Sequence, residues 1–255
     1  MNKSSIVDKP FLSVAMITFN EERIIEKTIS VLHNWVDEII VIDSYSTDNT
    51  LNILELFNVN VVQEKWQGYS RQKNLALSKC RGEWILSLDA DEVVTDRLKE
   101  EIQKTIKEPG IDVGFKIPRK FYIGKKWIQY GGYYPDAQLR LFKRGVGAAF
   151  KERAVHESVD IGDKPMRLLE NAIEHYAYKD IGDYKASMEK YSKLAASEIK
   201  NKKFYIPFFR ALWAFVYRYI FRLGFLEGEL GFNLVWIYSL YVYSKYSQAK
   251  EINKN

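Results

Sequence analysis

The sequence predicts an α/β protein: a mostly parallel sheet with helices on both faces, followed by an aromatic-rich helical extension. Short apolar runs alternate with amphipathic stretches through the first 110 residues, and one of these runs ends in two carboxylates, Asp89 and Asp91. Residues 204–246 hold 16 aromatic side chains, which predicts the extension. A chain of 255 residues can form one such domain with appendages or two small domains.

Three apolar runs of strand length open the predicted sheet, at residues 11–18, 38–43 and 59–62. Asn20 is the expected N-cap of the first helix. The buried stripe of that helix is predicted to comprise Ile24, Ile25, Thr28, Ile29 and Leu32. Ser46 or Thr47 is the expected cap of the second helix. Because each strand leads through a helix to the next strand, the strands are predicted to run parallel.

The next elements are a helix over residues 68–79, a buried strand that ends at Asp89, and a helix that runs from Thr95 to about residue 107. Pro109 and Gly110 stop that helix. Residues 111–144 alternate and turn, which predicts strands and an irregular loop, with residues 138–144 as a half-exposed strand. A helix capped by Asp180 is predicted over residues 181–200. A shift in composition near Lys200 marks the one predicted domain boundary.

Asp89 and Asp91 follow a buried strand directly, so they are expected at its carboxyl edge. In open α/β sheets this edge is where ligands bind. Carboxylate oxygens suit Mg²⁺ or Mn²⁺ bridged to the phosphates of a nucleotide. The alternative is an acid-rich turn before the next helix.

Composition narrows the class of protein further. The single cysteine, Cys80, excludes an intramolecular disulfide and suits a reducing compartment. Residues 1–10 are polar and give no sign of a leader, so a cytoplasmic location is expected. Of the net charge of +5, the segment from Lys200 onward contributes nine Lys/Arg against three Asp/Glu, so the basic character belongs to the tail. No nucleic-acid partner is predicted.

Four motifs carry a resemblance to a known family: residues 13–21, residues 41–48, Gln72-Lys73-Asn74 and residues 88–92. In order and spacing they resemble the nucleotide-sugar domain of inverting GT-A (Rossmann-like) family 2 glycosyltransferases. Residues 133–144 and Val155-His156-Glu157 are similar to the subgroup that adds glucose to the inner core of bacterial lipopolysaccharide. The sequence departs from the family pattern at Ser44, where the family has a second acid, and at Tyr45, where it has glycine.

The resemblance implies specific nucleotide-sugar contacts. Ile17, Phe19 and Glu21 would line the base, Asp43 would accept the uracil N3–H, and Arg71 or Lys73 would approach the phosphates. Asp89 and Ala90 would lie near the ribose, with Asp91 as the more direct ligand of Mg²⁺ or Mn²⁺ and Asp89 as the second. The alternatives are a helix cap for Asp43 and solvated helix charges for Arg71 and Lys73.

An inverting transfer also needs a carboxylate that takes the proton of the acceptor hydroxyl. Glu157 stands where the family carries this acid, His156 beside it could orient it, and Asp136 is the competing candidate. Arg140 is a candidate for binding a phosphate, and the favoured alternative is a salt-bridged strand residue.

The predicted organisation is a catalytic domain over residues 1–200 and an extension over 201–255, with residues 11–110 binding the donor and 111–200 binding the acceptor and carrying catalysis. The implied function is metal-dependent transfer of a sugar, expected to be glucose, from a UDP-sugar to a glycolipid acceptor. A nucleotidyltransferase-like enzyme and a non-catalytic nucleotide-sugar-binding scaffold at the membrane are the alternatives.

The aromatic tail predicts a helix over residues 208–223 that places Arg210, Arg218 and Arg222 within one arc, and a shorter helix over 232–244. The 16 residues between Pro207 and Gly224 are too few to cross a bilayer, which needs roughly 20. The tail is therefore expected to lie in the plane of the inner face of the cytoplasmic membrane. The alternative is a helical hairpin packed on the domain or on a second subunit, as in a homo-oligomer.

Overall fold

A computed structural model describes residues 11–151, 158–197, 199 and 206–252. In chain order the strands are β1 (Leu12–Thr18), β2 (Glu38–Asp43), β3 (Asn60–Gln63), β4 (Trp84–Asp89), β5 (Glu92–Val93), β6 (Gly114–Ile117), β7 (Arg119–Ile123), β8 (Lys126–Ile128), β9 (Gln138–Lys143), β10 (Ala149–Phe150), β11 (Val159–Asp160), β12 (Met166–Leu168) and β13 (Ile173–Tyr178). The α-helices are α1 (Ile25–Ser30), α2 (Thr50–Glu55), α3 (Tyr69–Lys79), α4 (Asp96–Lys107), α5 (Ile181–Ser197), α6 (Pro207–Val216) and α7 (Gly228–Ile252).

These elements form two compact units. The first contains the described residues of 11–118, 137–151 and 158–173, and the second contains those of 119–136 and 174–252. Within the second unit α7 packs along α5, and the functional boundary near Lys200 stays a prediction.

The first unit is built on a seven-stranded sheet of order β12-β6-β9-β4-β1-β2-β3. β4, β1, β2 and β3 are parallel neighbours, and so are β12 and β6. β9 runs antiparallel to both of its neighbours, β4 and β6. The predicted mostly parallel sheet is therefore confirmed.

Alternate residues of the central strands enter two separate apolar cores. On one face Val14 and Met16 of β1 pack with the apolar sides of α1 and α4, which include Ile25 and Ile102. On the other face Ala15 packs in a cluster with α3. The predicted stripe of the first helix is confirmed, because Ile24, Ile25, Thr28, Ile29 and Leu32 are all buried. Helices therefore cover both faces of the sheet.

Strand β9 is more buried than its alternating sequence predicts. Residues 139–142 are all buried, so the prediction of a half-exposed strand is wrong. The reason is position, because β9 lies between β4 and β6 near the centre of the sheet. Its polar residue Arg140 is buried because acidic side chains pair with it.

The predicted caps of the first two helices are wrong. α1 is preceded by Ile24 and α2 by Asn49, and neither N-cap side chain accepts a helix N–H. Asn20 instead has a positive φ of 56° and accepts a hydrogen bond from the Thr47 amide at 2.8 Å. The loops that follow β1 and β2 are thus tied to each other.

The second unit places β13, β7 and β8 side by side and packs α5 against α7. The Asp180 cap of α5 is confirmed, since its carboxylate accepts the Asp183 amide at 2.9 Å. The tail is longer than predicted. After α6 come a π-helical stretch (Tyr217–Phe221) and a 3-10 turn (Gly224–Glu227), and then α7 runs for 25 residues. The prediction of a short last helix over 232–244 is therefore wrong, because the polar residues on either side continue the helix.

Candidate active site

The carboxyl ends of β1, β2 and β4 lie side by side. In the parallel register Ile17 is opposite Asp89, and Thr18 is opposite Asp43. The Thr18 hydroxyl donates to the Asp43 carboxylate at 3.0 Å. The sequence therefore predicts correctly that these acids share one edge of the sheet.

Each oxygen of the Asp89 carboxylate binds a cation. The Lys73 ammonium lies 2.6 Å from Oδ1, and the Arg140 guanidinium lies 2.6 Å from Oδ2. Lys73 comes from α3 and Arg140 from the central strand β9. Tertiary structure thus assembles this cluster at the end of β4 from three separate elements.

Arg140 is a buried, salt-bridged strand residue, as the alternative interpretation proposed. Its guanidinium also contacts Glu92 at 2.5 Å, and the side chain of Glu92 is fully buried. Burial disfavours the charged form, but the carboxylates of Asp89 and Glu92 outweigh burial and raise the pKa of Arg140. The guanidinium is thus engaged by two carboxylates, and its contact with a phosphate stays a prediction.

A second group of acids surrounds Glu21, which follows β1. Burial, and then the charge of Asp91, raise the pKa of the Glu21 carboxyl to about 7. Asp48 and Asp89 add to this shift, and Arg23 opposes it. The site therefore has an excess of negative charge near Asp91.

The donor set fits a divalent ion that is shared with a nucleotide. Among the residues that the structure describes, no three His, Cys, Asp or Glu side chains are arranged to hold a metal by themselves. Mg²⁺ is usually bound by one or two carboxylates together with substrate phosphates. Asp91 and Asp89 supply oxygens of this kind, and a cation would offset the negative charge near Glu21. Metal and diphosphate would thus be expected to bind together.

The raised pKa of Glu21 predicts a stability effect whose sign depends on pH. A carboxyl with a folded pKa of about 7 and an ordinary value of 4.5 contributes stability that is present below pH 4.5 and lost as pH rises through 7. We expect Glu21→Gln to be more stable than the wild type at pH 8, by about 1–2 kcal/mol after solvent screening, and to gain much less at pH 5. Urea unfolding in EDTA at both pH values measures this difference.

The control for this measurement is Glu26→Gln, because Glu26 is exposed on α1. It should shift stability by the same small amount at pH 5 and pH 8. An equal gain for Glu21→Gln at both pH values would show that Glu21 is not held among like charges.

Asp43 is buried and bound to its own loop. Its carboxylate accepts the Ser46 amide at 2.9 Å, the Ser46 hydroxyl at 2.5 Å and, at 3.5 Å, the Gln63 side chain. It does not cap α2, because Asn49 precedes that helix. The contact with uracil N3 stays a prediction, and the donor would have to replace the long Gln63 contact.

The predicted base-lining residues are placed at the same edge. Ile17 is half-buried at the end of β1, and Phe19 is exposed just beyond it. Tyr45, which follows β2, is also exposed and has a φ of 60°. Glycine adopts this left-handed conformation at little cost, which accounts for the glycine of the family pattern at this position. Contact of these side chains with a base stays a prediction.

The Gln72-Lys73-Asn74 motif divides into one site residue and two structural ones. Lys73 reaches Asp89, whereas Gln72 donates to the Ser44 hydroxyl at 2.9 Å. Asn74 exchanges two hydrogen bonds with the Phe150 backbone, at 2.9 and 2.8 Å. Of the two predicted phosphate-binding cations, Arg71 is exposed on α3 and Lys73 pairs with Asp89, and contact of either with a phosphate stays a prediction.

Ala90, between the two acids, is buried, and its carbonyl accepts the Thr28 hydroxyl at 2.7 Å. This bond anchors the turn that carries Asp89 and Asp91 to α1. Sequence reasoning assigned no role to Thr28 beyond its place in the apolar stripe, or to Glu92. A polar residue on an apolar helix face, and a third acid after Asp89 and Asp91, were the available signals.

The two candidate bases are placed differently. Asp136 belongs to the second unit, where its carboxylate pairs with Arg119. Glu157 and His156 lie outside the described residues. The strands on either side of that segment, β10 and β11, pair with each other within the first unit. The choice between Glu157 and Asp136 stays open.

Comparison with known proteins identifies the family of this sequence. The family model described as Glycosyl transferase family 2 matches residues 13–162. An uncharacterized glycosyltransferase of Rickettsia conorii is 30% identical over 246 residues, covering 91% of this chain and 86% of the relative. The lipopolysaccharide core biosynthesis glycosyltransferase LpsC of Rhizobium meliloti is 27% identical and covers 95% of each chain.

Solved structures match the fold. The Staphylococcus aureus TarS fragment 1–349 in complex with UDP-GlcNAc has a TM-score of 0.54 at 18% identity, covering 96% of this chain and 92% of that one. The mannosyltransferase PcManGT of Pyrobaculum calidifontis, in complex with GDP-Man and Mn²⁺, has a TM-score of 0.51 at 16% identity, covering 97% and 80%. At these identities the likeness shows the fold alone, and that fold is GT-A.

Proposed function

The chain belongs to glycosyl transferase family 2, and on that premise we propose that it moves a hexose, expected to be glucose, from a UDP-sugar to a lipid-linked glycan with inversion at the anomeric carbon. The transfer depends on Mg²⁺ or Mn²⁺. The resemblance to this family predicted from the four motifs is confirmed by the family match. To this family assignment we add the identity of the donor, the acceptor and the metal.

The observation that carries the proposal is the cluster at the carboxyl edge of β4. Asp89 ends β4 and Asp91 follows it, the exposed Phe19 follows the neighbouring strand β1, and the Lys73 ammonium lies 2.6 Å from Asp89. A nucleoside diphosphate needs positive charge near its phosphates and an apolar surface for its base. Lys73 supplies one cation, a divalent ion held by Asp89 and Asp91 would supply the rest, and Phe19 offers the apolar surface. The proteins in the TarS and PcManGT complexes bind nucleotide sugars with the same fold, which supports the assignment.

The residues of this chain take distinct roles in the proposed reaction. Lys73 neutralises charge on the diphosphate, and Asp91 and Asp89 orient the donor. A divalent ion bound there would offset the charge that grows on the leaving nucleoside diphosphate. Glu157 takes the proton of the acceptor hydroxyl as that oxygen attacks the anomeric carbon from the opposite side. Glu157 is preferred to Asp136 because the Val155-His156-Glu157 motif resembles the segment on which the family carries this acid.

The proposed acceptor is a glycolipid such as lipopolysaccharide core. Support comes from LpsC, which is named for lipopolysaccharide core biosynthesis and aligns with 95% of this chain. The exposed aromatic tail supports the same class of acceptor, because an enzyme that acts on a lipid-linked glycan must reach a membrane surface.

A donor panel tests the proposal. Ligand binding at 100 times Kd adds about 2.7 kcal/mol to the free energy of unfolding, which raises Tm by roughly 5–10 °C in a chain of this size. We expect UDP-glucose to produce such a shift with Mn²⁺ and little shift in EDTA, and GDP-mannose to produce little shift in either buffer. Differential scanning fluorimetry with UDP- and GDP-sugars measures it.

A larger shift with GDP-mannose, or equal shifts with and without Mn²⁺, would contradict the proposed donor and metal. Binding of UDP-sugars without any release of UDP in the presence of glycolipid would favour the non-catalytic scaffold instead. A nucleotidyltransferase would release pyrophosphate from a nucleoside triphosphate, and we expect none.

We further propose that the tail holds the enzyme at the inner face of the cytoplasmic membrane through one apolar face. This face consists of exposed side chains of Ile206, Phe208, Phe209, Leu212, Trp213, Tyr217, Ile220, Phe221, Leu223, Phe225 and Leu226. Trp213 is 61% exposed and Phe221 63% exposed. Soluble proteins rarely expose so much contiguous apolar surface without a partner.

Charge favours a lipid surface as that partner. Residues 206–226 contain three arginines and no acidic residue. Arg222 is exposed and suits anionic headgroups, and so is Arg210, whose guanidinium also donates to the Tyr246 hydroxyl at 3.3 Å. Arg218 does not face the lipid. Its guanidinium donates to the Gly131 carbonyl at 2.7 Å and lies over the ring of Tyr238. The prediction that all three arginines of this arc face lipid is therefore wrong for Arg218.

The structure also favours a position in the plane of the bilayer. Among the described residues, no helix combines the length and the apolar character that a membrane crossing requires. A symmetric homo-oligomer through this face would bring the arginines of two copies together without acids to pair them. The bilayer therefore suits the apolar face better than a second subunit.

Vesicle binding tests this proposal. We expect Trp213→Ser and Phe221→Ser each to weaken binding to anionic phosphatidylglycerol vesicles by roughly tenfold or more, since each removes about 1.5–3 kcal/mol of apolar burial. Co-flotation at a series of lipid concentrations measures the affinity. Ile111→Ser, at an exposed apolar residue of the first unit, is the control and should bind as the wild type does. A stable dimer that does not bind vesicles would favour the oligomer.

A further inference from the structure

The two cations that hold Asp89 differ in how freely they can leave. Arg140 projects from the central strand β9, and its side chain is 5% exposed. Lys73 projects from α3 on a flexible stem, and its side chain is 11% exposed. The Asp89 oxygen Oδ2 is therefore fixed to a buried group, whereas Oδ1 is paired with a group at the edge of the solvent.

Glu92 forms a closed ring of contacts with Asp89 and Arg140. One of its oxygens accepts the Arg140 guanidinium at 2.5 Å, and the other accepts the backbone amide of Asp89 at 3.1 Å. Arg140 in turn contacts the carboxylate of Asp89 at 2.6 Å. Both the backbone and the side chain of Asp89 are thus tied to the buried Arg140–Glu92 pair.

The buried ring of Asp89, Arg140 and Glu92 is an inefficient way to stabilise the fold. Burying a Glu–Arg pair costs desolvation that a pair of apolar side chains would avoid. The Nε atom of Arg140 is also buried without a hydrogen-bond partner among the described residues, and an unsatisfied buried donor is destabilising. What the ring achieves is a fixed orientation of the Asp89 carboxylate.

We propose that Glu92 and Arg140 are positioning residues that present Asp89 to the donor complex through Oδ1 alone, and that Lys73 occupies this oxygen until the donor arrives. When metal and UDP-sugar bind, the Lys73 ammonium moves from Asp89 to the diphosphate. This inference rests on the proposed function. It adds two residues, Glu92 and Arg140, and an exchange of partners by Lys73.

The first test uses Glu92→Gln and Arg140→Lys. Removing a group that orients a metal ligand typically weakens metal affinity or activity by 10–100-fold. We expect both variants to bind Mn²⁺ with UDP at least ~10-fold more weakly than the wild type in calorimetry. The Mn²⁺ concentration for half-maximal turnover should rise by the same factor, while UDP affinity in EDTA is unchanged. A lower Tm with unchanged Mn²⁺ affinity would show that the pair is only structural, and would overturn the proposal.

A double variant keeps the proposal testable if the removal of a single charge prevents folding. The double variant Glu92→Gln with Arg140→Met removes both buried charges, which such sites tolerate better than the loss of one. We expect it to fold and to show the same weakened Mn²⁺ binding. Wild-type Mn²⁺ affinity in this double variant would overturn the positioning role.

Lys73→Met tests the exchange, because two affinities should change in opposite directions. Without nucleotide, Mn²⁺ binding measured by electron paramagnetic resonance should strengthen several-fold, since Lys73 no longer competes for Asp89. At saturating Mn²⁺, UDP binding should weaken by at least ~10-fold, since the diphosphate loses a cation. Lys79→Met, on the exposed side of the same helix, should change neither.

The outcomes separate this inference from the proposed function. A wild-type protein that binds UDP equally with and without Mn²⁺ would refute the proposed function and this inference with it. A wild type that requires Mn²⁺, together with a Lys73→Met variant in which both affinities fall, would refute the exchange alone.

Discussion

Replacing Asp91 by alanine is expected to lower the rate of sugar transfer by about 10³-fold or more, since metal stabilisation of a leaving phosphate is worth several kcal/mol. Asp91 lies just beyond β4, and its charge contributes to the raised pKa of Glu21. Asp89, the other candidate ligand, is paired with both Lys73 and Arg140. Release of UDP from UDP-glucose in the presence of glycolipid measures the rate.

The matched control is Asp96→Ala, five residues further along the chain and exposed in the first turn of α4. It should keep nearly full activity, with a small loss of helix stability. The Asp91 variant should also lose Mn²⁺-dependent UDP binding while its Tm stays close to that of the wild type. A variant that keeps a tenth of the wild-type rate would show that Asp91 is not the principal ligand.

Replacing Glu157 by glutamine is expected to cut turnover by ~10²-fold or more and to leave UDP-sugar affinity nearly unchanged. A general base acts in the transition state and not on the bound donor. Glutamine keeps the size of the side chain but cannot accept the proton of the acceptor at neutral pH. Steady-state kinetics together with calorimetry of the donor separates these two effects.

Asp136→Asn is the comparison that decides between the two candidates. Asp136 is paired with Arg119 and partly exposed, so its neutralisation should change turnover by only a few-fold. If the Asp136 variant is inactive and the Glu157 variant keeps its rate, the base is Asp136. If both keep their rate, the resemblance beyond residue 92 does not extend to catalysis.

The parts of the fold that follow from local patterns were predictable. The bounds of β1, β2 and β4 lie within one residue of the predicted runs, because apolar runs of this length have few other solutions. The burial of β9 was not predictable from its alternation, because its place between β4 and β6 is set by pairing across the sheet. The caps at Asn20 and Thr47 failed for a related reason, since these two residues bond to each other instead of to a helix.

The candidate site also has features that the sequence predicted and features that it did not. Its place at the end of β4 followed from the position of two acids after a buried strand. The residues that pair with Asp89 could not be predicted from the sequence. Arg140 is 51 residues away, and Lys73 lies on a helix face where most charges are solvated. Arg218 in the tail is a similar case. Helical spacing predicted that it faces lipid, but in the structure its guanidinium packs against the rings of Tyr133 and Tyr238.

The most direct test of the central claim is the release of UDP from UDP-glucose when purified lipid-linked core glycan is added, with Mn²⁺ or with EDTA. A metal-dependent transferase predicts release that requires the glycolipid, stops in EDTA and yields a glycan heavier by one hexose in mass spectrometry. UDP release at the same rate without glycolipid, or an unchanged glycan mass in Mn²⁺, would contradict the claim that this chain transfers a sugar to a lipid-linked acceptor.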